Sequence, residues 1–99
     1  MVLLTLHGPR QKYFGVLRQL EAAGVELRGV PLESLDDLAR LIRDGEQAGA
    51  STLFFPMHRV EQIELDAATG EIPSLAQSFS SRAGCAAEDV FGEGGETAG

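Results

Sequence analysis

Ser51-Thr52-Leu53-Phe54-Phe55-Pro56-Met57-His58-Arg59-Val60-Glu61-Gln62-Ile63-Glu64-Leu65-Asp66 is the stretch whose reading decides the fold. It is an apolar strand, an abrupt corner containing proline, and a second strand of mixed character. Leu53, Phe54 and Phe55 are too apolar in succession to be left in water. Ile63 and Leu65 share one face of the second strand, and Glu64 points the other way. Val60 is out of phase with that pair, which predicts a bulge or bend near Glu61. Pro56 has no N–H to give to a ladder, so it belongs at a strand end or on an edge strand.

Upstream, Val2 to His7 predicts a strand with Val2, Leu4 and Leu6 on one face. Gly8-Pro9 is a turn signal. Lys12 to Leu20 reads as a second strand interrupted by Gly15, where a missing side chain marks a bend, a bulge or a close backbone approach. A helix over Gln11 to Ala23 is the rival reading. Tyr13, Phe14 and Val16 favour strand, and Gly15 would weaken a helix by about 1 kcal/mol. Val25 to Val30 is the third strand, with Val25 and Leu27 inward and Glu26 and Arg28 on a wet face.

Pro31 ends that strand. Leu35, Leu38, Ala39 and Ile42 form a helical stripe over residues 34–44, with Ser34 and Asp37 as a short capping box and Gly45 as a stop. After the decisive stretch, Ser74 and Gln77 open a second helix over residues 74–84. Leu75, Phe79 and Ala83 are its buried side and Gly84 its end. Ala86 to Phe91 adds one further helical turn. Residues 92–99 have nothing to bury and are expected to be a disordered tail.

Together these elements predict a single small domain over residues 1–91. It is α+β and mainly β, in the order β-β-β-α-β-β-α. The expected shape is a strongly bent five-stranded sheet or partly closed barrel, with helices capping its open ends.

The residues Leu4-Thr5-Leu6, Gly8, Gly15-Val16-Leu17 and Glu21, followed by Phe54 to Val60, resemble the two short motifs of the Sm-like fold. This is the five-stranded barrel of the Sm, LSm and Hfq proteins. His58 and Arg59 fall where Hfq carries a histidine and a basic residue. The resemblance implies a small barrel whose fourth and fifth strands pair with neighbouring subunits, and it raises RNA as a partner. The family's base-contacting asparagine after the second strand has no counterpart here, and residues 34–44 insert a helix where the family has a short connection.

Bulk chemistry narrows the function classes. The 99 residues carry 8 basic and 15 acidic side chains, a formal charge of −7. That disfavours general nucleic-acid binding, which depends on Lys and Arg neutralising phosphates. It also disfavours adsorption to anionic lipid. The single cysteine, Cys85, permits no disulfide within the chain, so a reducing, cytoplasmic setting is expected. Met1 to Leu6 is apolar but short, and no basic segment precedes it, so no signal peptide is expected. No run approaches the roughly 20 apolar residues of a membrane span.

His7, His58 and Cys85 offer no close ligand pair, so no metal and no cofactor is expected. The scattered carboxylates give no acid–base pair, and Cys85 has no adjacent base, so no enzyme is expected. What remains is a protein–protein association module, either a homo-oligomer or an accessory subunit of a larger complex. The interaction residues expected are Leu53, Phe55, Met57, His58 and Arg59, with Phe79 a possible addition. His58 and Arg59 form a cationic pair suited to phosphate or a partner carboxylate. The plainer alternative has His58 bonded to a turn carbonyl and Arg59 paired with a surface acid. The RNA-binding alternative would use Arg59 and Lys12.

Overall fold

Alternation of apolar and polar residues produces five strands: β1 (Val2–Leu6), β2 (Gln11–Glu21), β3 (Gly24–Pro31), β4 (Ser51–Pro56) and β5 (Val60–Leu65). The computed structural model describes residues 1–92. The strands form one antiparallel sheet in the order β4-β3-β2-β1-β5. The helices are α1 (Leu35–Arg43), α2 (Leu75–Ala83) and α3 (Ala87–Phe91). The fold is therefore α+β and mainly β, with Gln11–Glu21 a strand and not a helix. Residues 93–99, most of the expected tail, lie outside the described residues.

Residues directly opposite each other in a ladder point to the same face of the sheet. One face carries Val2, Leu4, Leu6, Leu27 and Phe55, with Tyr13, Leu17, Leu53, Val60 and Ile63 packed around them. The other face contributes Phe14 and Val30 to a second cluster, completed by Leu35, Leu38, Ala39, Phe79, Ala83, Ala87 and Phe91. The helices thus cover the Phe14 face. This corrects the expectation that they cap the ends of a barrel. The reason is local: Phe14 and Val16 lie out of phase with Tyr13 and Leu17, so β2 is apolar on both sides and needs a second layer.

Gly15 does what a glycine inside a strand predicts. A Cβ there would lie 2.1 Å from the Arg28 carbonyl oxygen, and the opposing residue is also glycine, Gly29. The bulge near Glu61 is present as well. Leu6 pairs with Val60 but Thr5 pairs with Gln62, which leaves Glu61 as the extra residue. Val60 and Ile63 consequently oppose Leu6 and Leu4 on one face. A second register shift falls at Arg18, between Leu17 and Gln19.

The two long helices begin differently. Ser74 is extended, at φ −67° and ψ 165°, and forms the expected capping box. Gln77 N donates to Ser74 Oγ at 3.1 Å, and Ser74 N donates to Gln77 Oε1 at 2.7 Å. Asp66, just past β5, accepts from Leu75 N at 2.8 Å and Ala76 N at 2.9 Å. Its carboxylate satisfies two more orphan amides and ties the strand to the helix. Ser34 does not cap α1. A 3-10 turn, Leu32–Ser34, runs straight into that helix, so Ser34 already has helical geometry and its hydroxyl makes no cap bond.

One expectation of burial, that of Phe54, fails at the sheet's edges. Phe54 is 55% exposed and Leu65 is 80% exposed. Both lie on edge strands, where one flank has no neighbouring strand among the described residues to cover the side chain. Glu26 and Arg28, expected wet, are half-buried.

Candidate partner-binding edge

Among the described residues β4 is paired with β3 on one side only, and Pro56 closes it, as a residue without an N–H should. A 3-10 corner, Met57–Arg59, then carries the chain to β5 on the opposite edge of the sheet. The backbone of the corner is tied inward at both ends. Met57 N donates to Ala23 O at 3.0 Å, and His7 N donates to Arg59 O at 2.9 Å.

The five residues expected to interact do not form one surface. Phe55 is 8% exposed and belongs to the core, its ring centroid 4.9 Å from that of Tyr13. Leu53 and Met57 are half-buried, and His58 is exposed. Arg59 is turned away from β4. Its Nε donates to His7 O at 3.2 Å, and its Nη2 donates to Pro9 O at 2.9 Å and to Gln11 Oε1 at 3.1 Å. Arg59 therefore clamps the β1–β2 turn rather than pairing with an acid. Carbonyls of a tight turn are good acceptors for a guanidinium fork, which offers five donors in one plane. Arg59→Ala is expected to lower stability by about 1 kcal/mol, because charge-assisted bonds at a half-exposed site are partly replaced by water. Thermal unfolding would show this as a fall of roughly 4–8 °C. Arg59→Lys, which cannot fork across two carbonyls, is expected to recover only part of it.

Phe54 is the residue that the sequence reading passed over. With Leu53 and Phe55 in strand phase, Phe54 must face the other way. Its ring is seated on Gly24: a Cβ at position 24 would lie 2.5 Å from Phe54 Cζ. Around it opens a cleft of about 190 Å³ lined by Gln19, Glu21, Gly24, Glu26 and Phe54. Gln19 donates its amide to the Glu21 carboxylate. Arg18 Nε stands 4.0 Å from Glu26 Oε2.

No family model, curated protein or solved structure matches the chain. What the site can do must come from its own geometry. Among the described residues, no grouping of three or more His, Cys, Asp or Glu could hold a metal, and no helix is long and apolar enough to cross a membrane. Cys85 is half-buried against the helical cluster. The other edge, β5, carries half-buried Ile63 and exposed Leu65 on the inner face, with Gln62 and Glu64 facing outward.

Proposed function

We propose that the protein is a non-catalytic association module that accepts a partner's strand along the free edge of β4. The observation that carries this reading is an aromatic residue, Phe54, 55% exposed on a strand that is hydrogen-bonded on only one side among the described residues. Unpaired N–H and C=O groups on that side are a template for an added strand, and the flanking side chains supply the apolar contact. Nothing in the helical layer is needed for this docking, because those helices pack around Phe14 and Val30.

The reading is compatible with an Sm-like assembly, in which consecutive strands on opposite edges, β4 and β5, meet in neighbouring subunits. It is equally compatible with service as an accessory subunit, in the cytoplasmic setting that a single cysteine suggests. The RNA-binding alternative draws less support, since the Arg59 donors engage His7 and Pro9 carbonyls instead of standing free for phosphate.

A photo-reactive benzoylphenylalanine in place of the exposed Thr52 tests the docking. Irradiated in native cells, it should give one discrete adduct that maps to an extended segment of the partner, whether another protein or a second copy. The same group at Glu46 should give none, and Phe54→Lys should remove the Thr52 adduct, because a charged edge resists pairing. Equal adducts from positions 52 and 46 would remove the proposal.

A further inference from the structure

The open flank of β4 has a definite hydrogen-bonding phase, and that phase says which strand fits it; the inference rests on the strand-docking reading above. Met57 N donates to Ala23 O at 3.0 Å, one step beyond the opposed pair Gly24 and Pro56. In an antiparallel ladder, opposed pairs that exchange hydrogen bonds alternate with pairs that do not. Phe55, Leu53 and Ser51 therefore direct their N–H and C=O groups at β3. The Phe55 carbonyl oxygen is indeed so close to that strand that a Cβ on Gly24 would lie 2.3 Å from it. Thr52 and Phe54 turn their N–H and C=O groups to the open flank, with the Pro56 carbonyl beside them.

A second copy of β4, running antiparallel with Phe54 opposite Phe54 across a two-fold axis, answers every donor on that flank. Each Phe54 N–H meets the other Phe54 carbonyl, and each Thr52 N–H meets the other copy's Pro56 carbonyl. Pro56 has no N–H to offer and ends the ladder. The side chains agree with the backbone, since Leu53 then lies against Phe55 on the inner face and the two Phe54 residues meet on the other. Sliding by one residue breaks the bonding phase. Sliding by two sets Phe54 against Thr52 and Phe55 against Ser51, or sets Phe54 against Pro56 and leaves Thr52 N–H facing the 3-10 corner. Charge also permits this pairing. The chain carries a formal −7, yet Ser51 to Met57 contains no charged residue. Glu26, opposite Phe54 on β3, would stand three strand spacings from its own copy, roughly 14 Å and beyond the screening length of about 8 Å. On the other edge, Glu61 and Glu64 of β5 would set carboxylates of both copies on one short ladder. We infer that the chain forms a two-fold dimer by antiparallel pairing of β4 with β4, with Phe54 at the axis.

Sedimentation of the whole chain at about 100 μM should give twice the 10.5 kDa chain mass. Thr52→Pro should leave a folded monomer, because the N–H it removes faces only the open flank and Ser51 before it is already extended. Circular dichroism checks that the fold persists. Phe54→Lys and Phe54→Glu should each weaken the dimer about tenfold, and an equimolar mixture of the two should restore it, since residue 54 then faces the opposite charge. Should Thr52→Pro unfold the chain, the exchange at position 54 still decides. A monomer at that concentration, a larger oligomer, a dimer indifferent to Thr52→Pro, or a mixture no tighter than its components would each overturn the two-fold dimer. Strand docking is judged separately by the photo-adduct at Thr52. An adduct with a different protein would leave docking standing without the dimer, and no adduct at all would remove both.

Discussion

Gly15→Ala should lower unfolding stability by about 3 kcal/mol, the sum of backbone strain and one or two lost ladder bonds. A methyl group there would sit 2.1 Å from the Arg28 carbonyl oxygen, 2.6 Å from Gly29 Cα and 2.8 Å from the Arg28 carbonyl carbon. All three are backbone atoms, so no side-chain rotation relieves the overlap. β2 and β3 must separate at the point where the sheet has glycine on both strands. For a domain of this size the total stability is on the order of 5–14 kcal/mol, so the loss is a large fraction of it. Urea denaturation would show a lowered midpoint with an unchanged slope. Gly49→Ala is the control, because a Cβ at position 49 meets nothing within 4 Å. It should change stability by no more than about 0.5 kcal/mol. If the two variants behaved alike, the close approach would not constrain the fold.

Phe91→Ala should lower stability still more, by about 4 kcal/mol. Phe91 is fully buried, and its ring centroid stands 5.4 Å from those of both Phe14 and Phe79. It is the point where the sheet, α2 and α3 meet. α3 has only five residues, too few to persist without such a contact. Besides Phe91, it is held by Ala87, whose N–H donates to Ser80 Oγ at 3.0 Å. The melting temperature should fall by roughly 20 °C. Hydrogen exchange should show α3 amides losing protection first, before those of β2. A variant that lost all amides together would mean that α3 and the sheet open as one unit.

The features legible in the sequence were those with a local cause. Gly15 in a strand pattern announced a bend, a bulge or a close approach, and the close approach is what the fold uses. The phase slip between Val60 and Ile63 announced the bulge, and Ser74 with Gln77 announced the cap. Each is decided by a few neighbouring residues. What escaped the reading was decided across space. Asp66 caps α2 from eight residues before Ser74, and nothing in its own neighbourhood marks it. Arg59 serves a turn some fifty residues away, so its sequence neighbour His58 suggested a cationic pair that the fold does not use. Ser34 looked as good a cap as Ser74, but Pro31 and the following 3-10 turn give it helical geometry first. The candidate site was half legible. β4 was legible as the apolar stretch, whereas the large apolar residue left exposed on it is Phe54, which strand phase alone would have turned away from Leu53 and Phe55.

Glu61 is the extra residue opposite β1, and the bulge it makes is what lets Val60 and Ile63, an odd number of residues apart, share a face. Without residue 61 the two would fall in phase by plain alternation, and Val60, Ile63 and Leu65 would still meet Leu6, Leu4 and Val2. Loss of that one codon should therefore be tolerated, whereas loss of the codon for Ile63 would bring Glu64 in beside Leu4 and turn Leu65 outward.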